Sequence, residues 1–195
     1  MKKAERTTRY IIEKVAPIFN KKGVASTSLA DLTEATKLTK GAIYGNFEHK
    51  DDLAHACFHH NLKFLQKGLY HAITLNGGAK DKLLDLIDFY RSEYETLAAQ
   101  GGCPLMNTAI EADDGYPLLK ADVTTTFEKW RREVINILAV GKENGELHPS
   151  FDPERFANSF IAMIEGGILL AKTLNETSHF FDIMQTLEEM VNNLD

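Results

Sequence analysis

Cysteine is scarce in this 195-residue chain: Cys57 and Cys103 are the two examples, too few for a disulfide framework or a four-thiolate zinc site. Proline is sparse too, at five residues, and the thirteen glycines gather at a few points, leaving long stretches free for regular structure. No run of eighteen apolar residues is present, so no membrane-spanning segment and no membrane partner are expected. The N-terminal Met1-Lys2-Lys3-Ala4-Glu5-Arg6 is charged and leads into an amphipathic segment rather than a short apolar core, unlike a secretory leader. A cytoplasmic location is the expectation. Strict apolar alternation is missing as well, which argues against strands.

What is present is an ordinary hydrophobic content, 44%, enough to bury a real core. The net charge of −6 conceals an asymmetry. The first fifty residues hold ten Lys/Arg against five Asp/Glu, and the other 145 hold twelve against twenty-three. A basic head on an acidic body suits a module that meets a polyanion while the remainder is repelled from it. No Ser-His-Asp order, glycine-rich phosphate loop or paired-carboxylate signature stands out. The chain therefore reads as a non-enzyme, with no catalytic residue and no cofactor.

Apolar residues recur at spacings of three and four throughout, and the fold class read from them is all-α with about nine helices. A first helix over about 3–21 carries Ile11, Ile12, Val15, Ile18 and Phe19 on one face, and Gly23 closes it. Ser28 and Asp31 resemble a capping box that starts a second helix at about 29–35. Thr39 caps a third, very short helix ending near Asn46. Long helices follow from about 51 to Asn76, over 80–99, and from Pro117 to Asn144, with a short one over 103–113 between the last two. An eighth helix begins after Asp152, marked by Phe156, Phe160, Met163, Gly167, Leu170 and Leu174. A ninth begins at about 179, with Phe180, Met184, Leu187, Val191 and Leu194.

Residues 26–50, STSLADLTEATKLTKGAIYGNFEHK, are two short helices joined by a tight turn inside the basic head, the layout of a helix-turn-helix. Leu32, Ala35, Leu38, Ile43 and Phe47 supply the faces that hold the pair at its crossing. The order T-S-L-A-D-L, then T-K-G-A-I-Y-x-x-F, then K-x-x-L resembles the N-terminal domain of the TetR/AcrR family of transcriptional regulators over about residues 8–55. The stretch from Gly102 to Asn107 resembles the sixth helix of one subgroup.

The resemblance implies an N-terminal DNA-binding domain at 1–50 and a ligand-binding and dimerisation domain at 51–195. It implies that Thr27 and Ser28, at the start of the second helix, meet phosphate, as do Thr39, Tyr44 and Lys50. Lys40, Ala42, Gly45 and Asn46 fall where bases are read: Lys suits guanine, Asn adenine, and an alanine methyl touches a thymine methyl. Two positions depart from the family pattern. Lys37 stands where a turn glycine is common, and Gly45 where a bulky aromatic or histidine is frequent, so readout leans on DNA shape.

The implied partners are double-stranded operator DNA, a second copy of the chain through the last two helices, and a small-molecule effector. Gly166 and Gly167 would admit a close partner helix. Candidate effector residues are Phe58 and Leu62 on the fourth helix, Phe89 and Tyr90 on the fifth, and Cys103, Met106 and Asn107 at the sixth. Trp130 and Val134 on the seventh and Phe160, Met163 and Ile164 on the eighth complete the set. They describe a mainly apolar ligand held by a few polar groups. Cys103 reads as a small buried residue, and His55 and His59, four apart, as surface histidines, so no metal site is assigned. Two alternatives from other classes remain: a helical small-molecule-binding protein that no longer binds DNA specifically, and an enzyme built on a helical bundle.

Overall fold

The computed structural model describes residues 3–148 and 150–194. Among the described residues there are nine α-helices and no strand: α1 (Lys3–Lys22), α2 (Leu29–Thr36), α3 (Lys40–Tyr44), α4 (Lys50–Thr74), α5 (Ala79–Ala99), α6 (Pro104–Gly115), α7 (Pro117–Glu143), α8 (Pro153–Leu174) and α9 (Ser178–Asn192). The helix order and bounds follow the apolar periodicity closely, because each stop is written locally. Gly23 closes α1 at φ +80°, a conformation that costs glycine little. Asp152 caps α8, its side chain accepting from the Glu154 and Arg155 amides, with Pro153 in the first turn. Asn175, at φ 52°, ends that helix.

The chain divides into two compact units. One contains residues up to Phe64 together with Gln100–Thr124, and the other contains Leu65–Ala99 with Thr125–Asp195. The first is built on α1, whose Ile11, Val15, Ala16 and Phe19 are buried with Leu32 of α2, Ile43 of α3 and Leu53, Cys57, Phe58 and Leu62 of α4. Burial pushes the Cys57 thiol pKa far up, so that sulfur is an inert, protonated core atom.

The second unit is a core of α5, α8 and α9, with Leu83, Leu86, Ile87, Tyr90, Tyr94 and Leu97 facing Phe156, Phe160, Ile164, Ile168, Phe180, Met184 and Leu187. Tyr94 stacks on Phe180 at 4.4 Å between ring centroids. Helix α8 is apolar almost all round, and among the described helices it alone has the length and hydropathy to cross a membrane. Its inner face joins this core. The apolar residues that mark α8 divide: Phe156, Phe160 and Gly167 are buried, whereas Leu170 and Leu174 are exposed beside Leu169. A period of 3.6 places residues 170 and 174 beyond the arc that α5 and α9 cover.

Candidate nucleic-acid interface and effector site

Helix α2 starts with a complete capping box. The Asp31 amide donates to Ser28 Oγ at 3.2 Å, and the Ser28 amide donates to Asp31 Oδ2 at 2.8 Å. Lys22 reaches the same carboxylate at 2.7 Å. The Lys22 ammonium first, then the Ser28 amide and hydroxyl, hold the Asp31 pKa down at about 2. In the turn, Lys37 takes the left-handed conformation at φ 55°, ψ 25°, so the expected strain at this non-glycine position is present. Thr39 then caps α3 by accepting from the Ala42 amide at 3.2 Å.

Four polar ties fix this pair of helices to the rest of its unit. Tyr10 of α1 donates its hydroxyl to the Thr36 carbonyl at 3.0 Å, closing the end of α2. Thr8 of α1 donates to Asn46 Oδ1 at 2.9 Å, beyond the end of α3. Lys50, the first residue of α4, donates to the Thr27 carbonyl at 2.5 Å. Glu111 of α6 accepts from the Val24 and Ala25 amides at 2.8 and 2.6 Å, clamping the loop before α2 with both carboxylate oxygens. Sequence reading missed Glu111: its partners lie 87 and 86 residues away, and an isolated helical glutamate carries no local signal.

The candidate DNA residues separate into two groups. Ser28, Thr39, Lys40 and Gly45 are exposed, and Ala42, Tyr44 and Lys50 are half-exposed. Two expectations need correction. Thr27 is buried, its hydroxyl donating to the Gly23 carbonyl at 2.6 Å and its amide to Val24 at 3.3 Å; both donors are spent inside the loop and neither is offered to phosphate. Asn46 is half-exposed, but its side chain is engaged at both ends. Its amide nitrogen donates to the Ala42 carbonyl at 2.8 Å while its oxygen takes the Thr8 hydroxyl. α3 ends at Tyr44, and the short Asn46 side chain there folds back on its own helix. The exposed side of α3 carries one cation, Lys40, with Gly41 open to solvent beside it.

The candidate effector residues fall in both units and are described within each. In the first, Phe58, Leu62 and Cys103 are buried and Met106 is half-buried. Asn107 is a correction. Its side-chain nitrogen donates to the Asn20 carbonyl, to Asn20 Oδ1 and to the Gly101 carbonyl at 3.1, 3.2 and 2.9 Å, so it fastens α6 to the end of α1 and has no free donor for a ligand. Asn20 completes the fastening by donating to the Gln100 and Gly102 carbonyls. Cys103 is wholly buried, as expected of a small core residue.

In the second unit Tyr90, Trp130, Val134, Phe160 and Ile164 are buried, and Phe89 and Met163 are partly so. Phe89 lies flat on Gly68, where any Cβ would strike its ring. Tyr90 stacks on Trp130 at 5.9 Å and 22°. The Trp130 indole nitrogen is buried with no hydrogen-bond partner among the described residues, an arrangement that costs stability unless something else accepts from it. Glu165, buried at 7% exposure within the apolar run of α8, was not singled out from the sequence. A charge inside that run was the available signal. A groove of 390 Å³ lies along α5 and α9 between Arg91, Phe181 and Glu188, away from the expected residues.

Comparison with known proteins gives two matching family profiles. Residues 11–57 match "Bacterial regulatory proteins, tetR family", and residues 79–187 match "Tetracyclin repressor-like, C-terminal domain". A TetR-family transcriptional regulator from Cytophaga hutchinsonii is 37% identical, with a TM-score of 0.89 over 100% of this chain and 98% of its own. A TetR transcriptional regulator from Chloroflexus aurantiacus is 31% identical, with a TM-score of 0.92 over 99% and 98%. The HTH-type transcriptional repressor DhaR of a Mycobacterium species is 24% identical over 84% of this chain and 81% of its own length.

Proposed function

Because the chain belongs to the TetR family of transcriptional regulators, a DNA-binding class and not an enzyme class, we propose that it is a cytoplasmic repressor. In this reading it sits on a palindromic operator as a homodimer and leaves when a small, mainly apolar effector binds. Residues 1–50 are the reading head and 51–195 the effector-binding and dimerising body. The observation that carries the reading is the α2–α3 pair, tied down on its inner side with Ser28, Thr39 and Lys40 left on the outer side.

Ser28, Thr39 and the Tyr44 hydroxyl are donors to phosphate. Lys50 does two jobs: one ammonium proton holds the Thr27 carbonyl, and the other two remain for a phosphate oxygen. Base reading falls to Lys40, facing guanine O6 or N7, and to the Ala42 methyl, facing thymine. With Gly45 bare and the Asn46 side chain engaged at both ends, so few contacts throw discrimination onto DNA shape.

For the dimer, the exposed row of Leu169, Leu170 and Leu174 on α8, with Phe181 on α9, is an apolar patch that a second copy would cover. Gly166 faces open space in this row, whereas Gly167 packs on Phe180 and Ile183 of its own chain; the close approach of a partner helix is therefore assigned to Gly166. For the effector, the unpartnered Trp130 indole N–H under Tyr90 asks for a hydrogen-bond acceptor on an otherwise apolar molecule. Effector binding favours a state in which the paired heads no longer match the half-site spacing, with a coupling of about 1–3 kcal/mol.

The test uses a duplex selected by the full-length protein from a random library. Lys50→Ala should weaken binding to every sequence alike and lower the salt slope by about 1, while Lys40→Ala should relax preference at one base pair. Equal affinity for selected and random duplex would favour the second reading that the thin α3 face suggests, a helical small-molecule-binding protein without specific DNA binding.

A further inference from the structure

We infer that His55, His59 and Asp122 form a binding site for a divalent transition-metal ion that joins α4 to the start of α7. The two histidines stand one helical turn apart on α4 and share a face. Asp122 arrives from α7, 63 residues beyond His59, and His55 Nε2 and His59 Nε2 lie 2.8 and 3.1 Å from the same Oδ2. The two imidazole nitrogens are 3.3 Å from each other. Three potential ligand atoms from two helices thus converge within 4.8 Å.

Hydrogen bonding closes this triangle in one way only, with both Nε2–H groups on a single carboxylate oxygen. If both histidines donate Nε2–H to Asp122, the two donors crowd together at 3.3 Å on one oxygen. If one gives up its proton, its lone pair sits against a carboxylate oxygen. A cation at the centre satisfies three lone pairs together. Ligands about 2.0–2.2 Å from a zinc ion at tetrahedral angles lie about 3.3–3.5 Å apart. The nitrogen pair already has that separation, the His59–Asp122 edge is within a few tenths of an ångström of it, and the His55–Asp122 edge would open by about half an ångström.

The ligand set specifies the class of ion. Two imidazoles and one carboxylate suit zinc, nickel, cobalt or copper and disfavour magnesium and calcium, which seek all-oxygen shells. With His55 and His59 side chains 43% and 45% exposed, the ion has an entry path and at least one position for water. His59 is braced from behind by the Phe58 ring at 5.7 Å between centroids. His60, next in sequence, has Glu13, Lys63 and Arg9 as its charged neighbours, which sets it apart from the triad and makes it the internal control.

Full-length protein stripped with chelator is titrated calorimetrically with ZnCl2, and separately with MgCl2, in the absence of DNA. Wild type and His60→Gln are expected to take one zinc ion per chain, with His59→Gln and Asp122→Asn weakened about tenfold or more and no magnesium bound. Because none of the three ligands is buried, circular dichroism of the variants should match wild type, and zinc should raise the melting temperature of wild type and His60→Gln but not of His59→Gln or Asp122→Asn. Failure of wild type to bind zinc stoichiometrically, His59→Gln or Asp122→Asn binding as tightly as wild type, or equal binding of magnesium would each overturn the assignment. The readout contains no DNA, so its failure leaves the regulator reading untouched.

Discussion

Both units of this molecule bury an apolar core, and each combines it with joints of a different emphasis. In the first, the joints are directional: Glu111 on two loop amides, Asn107 and Asn20 on each other and on neighbouring carbonyls, Lys50 on Thr27, Tyr10 on Thr36. The second has such ties as well, Glu146 on the Ala79 amide and Arg131 on Asn158 and Glu154, and adds stacked rings, Tyr94 on Phe180, Tyr90 on Trp130, Phe156 beside Phe160. Hydrogen bonds fix position and angle, whereas ring packing fixes volume and tolerates exchange. Two short helices held in one orientation need joints of the first kind.

The largest effect tests the body. Phe180→Ala removes a wholly buried ring stacked on Tyr94 and should cost about 3–5 kcal/mol in denaturant unfolding. A loss under about 1 kcal/mol would mean that the rings are not what holds this unit, and the contrast would collapse. Next in size is Glu111→Ala in the first unit, which frees two loop amides from a charged acceptor and should cost about 1.5–3 kcal/mol. Faster hydrogen exchange at Val24 and Ala25, with the amides of the second unit unmoved, would locate that loss in the first unit.

Lys37→Gly sharpens the comparison in the opposite direction. The left-handed φ of 55° at this turn penalises a side chain, so glycine should stabilise the protein by about 1 kcal/mol in thermal unfolding. No gain would mean that the turn relaxes around Lys37 at no cost. The smallest effect is set by pH. The carboxyl pKa of Asp31 is lowered in the folded protein to about 2, by Lys22 first and then by Ser28. Its contribution is fully present above the ordinary carboxylate range near pH 4 and is lost as pH falls through that range toward 2. Carbonyl NMR should place the Asp31 midpoint near the bottom of this window, and Lys22→Ala should move it upward.

How legible the molecule was depends on how far apart the interacting residues lie. Ser28 with Asp31, Thr39 with Ala42 and Asp152 with Pro153 are separated by three residues or fewer, and each was readable as a helix start. The apolar faces of α5 and α9 were readable for the same reason, since Leu83, Leu86, Tyr90 and Tyr94, or Phe180, Met184 and Leu187, all face inward. On α8 the apolar pattern runs past the buried face, with Leu170 and Leu174 exposed, so periodicity by itself does not mark the inner face there. At the interface, Lys40 and Thr39 stand exposed where the motif put them. Thr27 and Asn46 had the right residue types for DNA contact but their polar atoms were already engaged, Thr27 by Gly23 and Asn46 by Thr8 and Ala42.

The order and bounds of the helices, the basic head and the helix-turn-helix pattern were determined by the sequence alone, because periodicity, capping and charge act between near neighbours along the chain. Only the tertiary structure decided which polar groups stay free for a partner. It spent Asn107 on Asn20, gave the loop before α2 to Glu111, left the Trp130 indole without an acceptor among the described residues, and set Asp122 against two histidines. A hydrogen bond or a metal site is decided by distances of about 3 Å in space, and residues sixty or ninety places apart carry no mark in sequence that they will meet.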